Sequence, residues 1–130
     1  MASTGLHLSR SPAANAQVRA GRLRYRWAGL GLVRSIPLME LAQLQDLMAS
    51  TYGERDQARG IPATVAWLAE EFGELAQAVR KGSREQQLHE FSDVLAWLAS
   101  LANQLDISLD EAAGRFAGGC PKCGNAPCRC

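Results

Sequence analysis

The fold is decided by residues 64–105, whose sequence is TVAWLAEEFGELAQAVRKGSREQQLHEFSDVLAWLASLANQL. Apolar residues recur on both sides of the midpoint at the three- and four-residue steps of an amphipathic helix. They are Val65, Leu68, Phe72, Leu75 and Val79 before the midpoint, and Leu88, Phe91, Leu95, Leu98 and Leu105 after it. The pattern predicts two long helices.

The midpoint carries the signals of a helix end followed by a helix start. Gly82 suits the left-handed position that often follows a helix C-terminus. Ser83 and Gln86 have the three-residue spacing of a capping box at a helix N-terminus. We therefore expect the two helices to fold back on each other as an antiparallel hairpin.

Acidic residues occupy matching heights on the two arms of this hairpin. Glu74 and Glu90 are equally far from Gly82, and so are Glu71 and Asp93. At a rise of about 1.5 Å per residue, both pairs lie about 12–17 Å from the turn. Within each helix the acids are three residues apart, so they share one face.

Two interpretations of these carboxylates compete. Glutamate-rich helices are commonly solvated faces, but neither Glu71 nor Glu74 has a Lys or Arg three or four residues away. Four unpaired carboxylates at one height repel one another, and a divalent cation removes that conflict. Hard oxygen ligands suit magnesium or manganese, so the pattern favours such a site.

The same residues resemble a known enzyme family. Glu-Glu-Phe-Gly-Glu at 70–74 and Glu-Phe-Ser-Asp at 90–93 are similar to the paired E-E-x-x-E and E-x-x-D motifs of MazG-like nucleotide pyrophosphohydrolases. The resemblance extends over roughly residues 38–116. It implies an all-α, oligomeric, magnesium-dependent enzyme that hydrolyses nucleoside triphosphates to the monophosphate and pyrophosphate.

The resemblance also implies roles for individual residues. The expected metal ligands are Glu71, Glu74, Glu90 and Asp93. Glu70 would orient or deprotonate the attacking water. Many relatives have a Lys one turn before the acid pair, where this chain has Trp67, and this departure concerns the phosphate contacts more than the metal site.

Further residues are candidates for substrate contacts. Lys81 belongs to a basic group beside the turn, and Trp97 adjoins the acids, where it can stack on a base or pack in the core. Asn103 is a candidate because an Asn near this point recurs in the family that the chain resembles. His89 precedes Glu90 and is either a ligand or incidental.

The segment before residue 61 is predicted to contain one helix and a polar connection. Leu38, Leu41, Leu44 and Leu47 recur at three-residue steps, which predicts a first helix to about Ser50. Residues 52–60 are then expected to form a loop. Arg55 and Arg59 in this loop are candidates for reaching a phosphate, although solvated loop charges are the alternative. Pro62 fits the first turn of the next helix.

Charge is distributed unevenly along the 130 residues. The net charge is +1, yet residues 1–38 contain six arginines and no acid. Residues 39–130 contain eight basic and thirteen acidic residues, a net charge of about −5, which disfavours stable nucleic-acid binding. Residues 1–36 are expected to be a basic, disordered extension, a transit-like segment, or an extension preceding a true start at Met39.

All four cysteines lie in the last eleven residues, at Cys120, Cys123, Cys128 and Cys130. The C-x2-C-x4-C-x-C spacing, with Pro and Gly in its first turn, is typical of a zinc knuckle. A redox pair or disulfides are the alternative, which a cytoplasmic location would disfavour. A closed site of four thiolates would be structural. Ahead of it, Ser108 and Glu111 have capping-box spacing and predict a short helix to about Phe116.

These observations predict an all-α fold with three parts. Residues 1–36 form the extension, residues 37–117 a MazG-like helical domain, and residues 118–130 a zinc knuckle. Because few helices in about 80 residues bury little core, we expect a four-helix-bundle-like homodimer or homotetramer. The predicted protein is a cytoplasmic nucleotide pyrophosphohydrolase with no membrane association. A non-catalytic helical partner protein and a zinc-knuckle adaptor are the alternatives.

Overall fold

The structure, a computed structural model, describes residues 15–19, 22–26 and 33–130. The chain divides into two compact units, Met1–Met39 and Glu40–Cys130. No helix among the described residues combines the length and the apolar character that crossing a membrane requires.

The first unit contains a three-stranded antiparallel sheet with the strand order β1-β2-β3. The strands are β1 (Asn15–Arg19), β2 (Arg22–Arg26) and β3 (Val33–Pro37). Leu23 pairs with Val18 on one side and with Ile36 on the other.

These strands differ from the all-α and disordered predictions for this part of the chain. In β2, Leu and Tyr alternate with Arg, which is the two-residue period of a strand. The Arg-rich composition of residues 1–36 does not reveal this short alternation. The rest of the predicted extension, residues 1–14, 20–21 and 27–32, lies outside the described residues.

From Glu40 onward the structure is all-α, with four helices and no strand among these residues, as predicted. The helices are α1 (Leu41–Arg59), α2 (Ile61–Lys81), α3 (Arg84–Gln104) and α4 (Leu109–Gly114). The most extensive packing joins α2 to α3, and α1 packs mainly on α3. The predicted hairpin is therefore the centre of this unit.

The prediction that the first helix ends near Ser50 is wrong, because α1 continues to Arg59 and only Gly60 separates it from α2. The apolar periodicity is lost after residue 50 because a polar residue, Asp56, takes the buried position. The Asp56 side chain accepts a hydrogen bond from Arg59, and its backbone carbonyl accepts one from Gln104 on α3. Tertiary contacts thus extend a helix that local sequence does not mark.

The turn of the hairpin has the predicted capping box but a different glycine conformation. Ser83 Oγ accepts a hydrogen bond from the Gln86 amide at 3.2 Å, and Gln86 Oε1 accepts one from the Ser83 amide at 2.8 Å. Gly82 has φ −87°, so the predicted left-handed conformation is wrong. A Cβ at Gly82 would lie 2.7 Å from the Ala78 carbonyl oxygen, so close approach of backbone is the reason for glycine here.

The last helix begins as predicted and ends earlier than expected. Ser108 Oγ accepts a hydrogen bond from the Glu111 amide at 3.2 Å, which caps the N-terminus of α4. The helix ends at Gly114, two residues before the predicted limit, and turns lead from there into the cysteine segment.

The helical unit buries few large side chains and leaves one apolar surface open. Small residues dominate its core, which includes Ala78, Ala99 and Ala102 together with Met48, Leu68 and Val94. Many residues that carry the helical periodicity of α2 and α3 are exposed. We call them the apolar stripe: Val65, Phe72 and Val79 on α2, and Leu88, Phe91, Leu95 and Leu98 on α3. Their exposed fractions are between 38% and 58%, so the described part of the chain leaves the stripe about half exposed.

Candidate active site and metal-binding groups

Three of the predicted metal ligands come together across the hairpin. Glu71 and Glu74 lie one turn apart on α2, and Glu90 faces them from α3. Each offers a carboxylate oxygen, and these oxygens all lie within 4.8 Å of one another. We call Glu71, Glu74 and Glu90 the carboxylate group. Its carboxylate oxygens are the kind of ligand that divalent cations such as magnesium and manganese prefer.

Glu90 provides the most informative atom of the group. Its Oε2 is buried and has no hydrogen-bond partner. A buried carboxylate oxygen normally has a hydrogen bond or a cation beside it, because burial without a partner costs free energy. Most buried polar atoms in folded proteins satisfy this requirement, so an orphaned oxygen beside two other carboxylates fits a metal ligand.

Glu71 is held in place by an aromatic residue on the opposite helix. Trp97 Nε1 donates a hydrogen bond to Glu71 Oε1 at 3.0 Å. Burial raises the pKa of the Glu71 carboxyl above its usual value, and the nearby charge of Asp93 raises the pKa further. The hydrogen bond from Trp97 opposes both effects. Burial and neighbouring negative charge thus disfavour the carboxylate form of Glu71, a conflict that a bound cation removes.

Asp93, the fourth predicted ligand, stands beside the carboxylate group. It is not one of the three residues whose oxygens meet within 4.8 Å, although its charge acts on Glu71. Its Oδ2 lies 3.3 Å from His89 Nε2, one turn earlier on α3. The structure therefore gives His89 a contact with Asp93.

A groove between α2 and α3 runs from the acids toward the turn. Its cavity has a volume of about 500 Å³. The lining residues are Glu70, Gly73, Glu74, Gln77, Ala78, Lys81, Gly82, Gln86 and Glu90. The structure thus brings the predicted helper Glu70 and the predicted substrate contact Lys81 into one groove with two members of the carboxylate group.

Two groove residues were not identified from the sequence. Gln77 lies three residues after Glu74 on α2, and Gln86 lies four residues before Glu90 on α3. Both spacings place them on the same helix faces as the acids. The spacing from the acids could have identified these two residues. Glutamine is uncharged, however, so nothing else in the sequence distinguishes them from other polar surface residues.

An aromatic stack borders the carboxylate group on the side away from the turn. The rings of Trp67 and Trp97 are stacked, with centroids 5.8 Å apart and an interplanar angle of 9°. The Arg59 guanidinium lies over the Trp97 ring, 4.6 Å from its centroid, and also forms an ion pair with Asp56 at 2.6 Å. Trp97 is therefore packed between protein groups, and Trp67, at 46% exposed, has the more accessible ring.

Two predicted substrate contacts lie away from the groove. Asn103 exchanges hydrogen bonds with Gln45 of α1: its Oδ1 accepts from Gln45 Nε2 at 3.0 Å, and its Nδ2 donates to the Gln45 carbonyl at 2.9 Å. These bonds give Asn103 a place in the contact of α1 with α3. Arg55 is exposed on α1 and does not line the groove.

The four cysteines form a second group that could hold a metal ion. Their Sγ atoms all lie within 4.8 Å of one another. Backbone hydrogen bonds from Arg129 and Asn125 lower the pKa of Cys123 to about 5, and those from Lys122 and Cys123 lower the pKa of Cys120. Neighbouring thiols, Cys128 first, raise the pKa of Cys130 to about 11. The backbone amides of the segment thus stabilise the thiolates of Cys120 and Cys123.

Comparison with protein-family sequence models matches residues 59–118 to the MazG nucleotide pyrophosphohydrolase domain. This segment includes α2, α3 and α4, the carboxylate group and the groove, and it ends before the first cysteine. Comparison with curated proteins gives no significant match. The resemblance drawn from the two acidic motifs is confirmed over residues 59–118, which match the MazG family of nucleotide pyrophosphohydrolases.

Proposed function

We propose that this protein is a magnesium-dependent nucleotide pyrophosphohydrolase that converts nucleoside triphosphates to the monophosphate and pyrophosphate. Manganese is the alternative cation for the same oxygen ligands. The family match at residues 59–118 supports the reaction class.

The observation that carries the proposal is the carboxylate group itself. Three carboxylate oxygens from two helices meet within 4.8 Å. Glu90, one of the three residues, also has a buried oxygen, Oε2, without a hydrogen-bond partner. Without a cation this arrangement concentrates negative charge, which would repel a polyphosphate. When bound, magnesium supplies the positive charge that phosphoryl transfer requires where negative charge develops.

Three further residues would activate the water, bind a phosphate and complete the set of metal ligands. Glu70 lines the groove next to Glu74 but lies outside the carboxylate group, so it is placed to orient or deprotonate an attacking water. Lys81 lines the turn end of the same groove and offers the positive charge for a terminal phosphate. Asp93 is the fourth ligand of the proposal, reached by a change of its side-chain orientation.

This arrangement implies an orientation for the nucleotide along the hairpin. The acids lie between Lys81 on the turn side and the stacked Trp67 and Trp97 on the other side. We infer that the triphosphate lies over the acids with its terminal phosphate toward Lys81. The base then lies toward Trp67, whose half-exposed ring offers a stacking surface.

A homo-oligomer is part of the same proposal. The apolar stripe of α2 and α3 is uncharged and at least 38% exposed at each position. An uncharged helix face is best covered by another apolar face, and a second copy of this hairpin supplies one with the same spacing. Two hairpins packed through the stripe would form a four-helix bundle, with a carboxylate group on each copy.

The proposal places the protein in the cytoplasm. The Sγ atoms of Cys128 and Cys130 are 3.2 Å apart. A reducing compartment such as the cytoplasm would keep thiols at this distance from forming a disulfide.

The reaction is tested by incubating the full-length protein with a panel of ribo- and deoxynucleoside triphosphates, with and without magnesium. Products are identified by ³¹P NMR, which distinguishes monophosphate and pyrophosphate from diphosphate and orthophosphate. We expect magnesium-dependent formation of equal amounts of monophosphate and pyrophosphate from at least one nucleotide. Diphosphate and orthophosphate as the products, or no hydrolysis of any member of the panel, would contradict the proposal.

A further inference from the structure

We propose that Cys120, Cys123, Cys128 and Cys130 bind one zinc ion as a closed site of four thiolates with a structural role. The site lies beyond residues 59–118, so the family match does not account for it. It also does not depend on the reaction proposed above, because none of the carboxylate group belongs to it.

The distances between the sulfur atoms match those of a tetrahedral zinc site. Zinc–sulfur bonds of about 2.3 Å in tetrahedral geometry place the sulfur atoms about 3.8 Å apart. The Sγ atoms of Cys120 and Cys130 are 3.7 Å apart, and those of Cys123 and Cys128 are 3.9 Å apart. The Sγ atoms of Cys128 and Cys130 lie closer, 3.2 Å apart. Disulfide sulfurs lie about 2.05 Å apart, so these are not disulfide distances.

The backbone of the segment is shaped around the thiolates. Gly119 and Gly124 have φ values of +104° and +70°, which favour glycine. Two backbone hydrogen bonds close the loop between them: Gly124 to the Cys120 carbonyl at 2.7 Å, and Cys120 to the Asn125 carbonyl at 3.1 Å. A Cβ at Gly119 would come within 3.2 Å of the Asn125 backbone. The loop is thus fixed by its own hydrogen bonds, which brings the first two cysteines together.

The ligand set decides both the metal and its role. Soft thiolates prefer zinc to magnesium, which keeps the two metal-binding groups of this protein chemically distinct. Four protein ligands complete a tetrahedral shell and leave no position for water or substrate, so the zinc would hold the chain and not react. The segment around it has no strand and no helix, and its side chains are mostly exposed. A metal therefore replaces the apolar core that eleven residues cannot form.

The test uses full-length protein purified under reducing conditions, with metal content measured by elemental analysis. We expect about one zinc per chain in the wild-type protein and in Lys122→Ala, which changes the same loop without removing a thiol. We expect less than a tenth of that amount in Cys123→Ser. Limited proteolysis should cleave the chelator-treated protein after Gly118, with zinc restoring protection.

Cobalt substitution makes the test independent of how the variants fold. Apo wild-type protein titrated with Co²⁺ should develop sulfur-to-cobalt charge-transfer bands and tetrahedral d–d bands that saturate at one equivalent, and zinc should abolish them. Glu74→Gln should give the same titration as the wild-type protein. The proposal would be overturned if reduced, metal-free wild-type protein showed no sulfur-to-cobalt bands on addition of Co²⁺. Disulfides between these cysteines in protein isolated from a reducing cytoplasm would also overturn it.

Discussion

Trp97 of α3 donates a hydrogen bond through its Nε1 to Oε1 of Glu71 on α2, at 3.0 Å. This bond joins the aromatic stack to the carboxylate group and leaves the other oxygen of Glu71 available to a cation. It fixes the orientation of a carboxylate that burial and Asp93 both disfavour in its charged form. An outer residue that orients a metal ligand in this way typically affects metal affinity as well as activity.

Trp97→Phe keeps an aromatic ring but removes the hydrogen bond to Glu71. We expect magnesium affinity to fall by about tenfold, because hydrogen bonds to charged groups contribute about 1.5–3 kcal/mol. The measurement is the magnesium concentration that gives half of the maximal rise in melting temperature. Trp67→Phe changes the same stack without touching that bond and should leave this concentration unchanged. Equal magnesium affinities in both variants and the wild-type protein would show that the bond does not orient a metal ligand.

Glu71→Gln removes one negative charge from the carboxylate group while its amide oxygen can still accept from Trp97. We expect the metal-free variant to melt at a higher temperature than the metal-free wild-type protein at pH 7. The pKa of Glu71 is raised in the folded protein. At pH values between the unfolded pKa and the raised folded pKa, the folded state therefore binds more protons than the unfolded state. The stability of the metal-free wild-type protein should therefore fall as the pH rises from below 4.5 through the raised pKa.

The stability of metal-free Glu71→Gln should fall less with rising pH than that of the wild-type protein. Magnesium should no longer raise the melting temperature of this variant. Melting curves at several pH values, with and without magnesium, measure both effects. A variant less stable than the wild-type protein at pH 7 without metal would contradict the account of Glu71.

Phe72→Glu places a charge in the middle of the apolar stripe. We expect the oligomer to dissociate, because burying an unpaired carboxylate in an apolar interface costs several kcal/mol. Light scattering after gel filtration gives the mass of the particles. Gln57→Glu adds the same charge at an exposed position of α1 and should leave the oligomer intact. A wild-type protein that is monomeric at micromolar concentrations would contradict the proposed role of the stripe.

Gly82→Ala and Gly73→Ala test the account of the turn as a matched pair. Alanine at Gly82 would place its Cβ 2.7 Å from the Ala78 carbonyl oxygen, so we expect a loss of about 1–3 kcal/mol in the free energy of unfolding. Gly73 lies inside α2 and a Cβ there meets nothing within 4 Å, so alanine should stabilise the protein by about 0.5–1 kcal/mol. Chemical denaturation measures both, and a stabilising Gly82→Ala would refute the close approach.

The hairpin could be predicted because its register depends on positions counted from one turn. Glu74 and Glu90, equally far from Gly82, share the carboxylate group, and the equally placed Trp67 and Trp97 are stacked. The contacts of single side chains could not be predicted in the same way. The spacing that places Asp93 opposite Glu71 does not reveal that Asp93 contacts His89, since that depends on side-chain orientation.

Two further features required tertiary information. The second half of α1 buries Asp56, whose backbone carbonyl accepts a hydrogen bond from Gln104 of α3, and this contact between distant parts of the sequence has no local signal. The periodicity of the apolar residues correctly marked α2 and α3, but it did not show which of these residues are buried in the described part of the chain. Phe72 and Phe91 carry that periodicity and are both about half exposed.

In the proposed function, the carboxylate group holds the cation on which hydrolysis depends. This role is tested by measuring magnesium-dependent pyrophosphate release in the wild-type protein, Glu74→Gln and Glu85→Gln. Glu85 is an exposed acid in the first turn of α3, outside the group, and therefore serves as the matched control. We predict that Glu74→Gln lowers the rate by about a hundredfold or more while the helical circular dichroism is unchanged, and that Glu85→Gln retains the wild-type rate. Wild-type pyrophosphate release by Glu74→Gln would contradict the account.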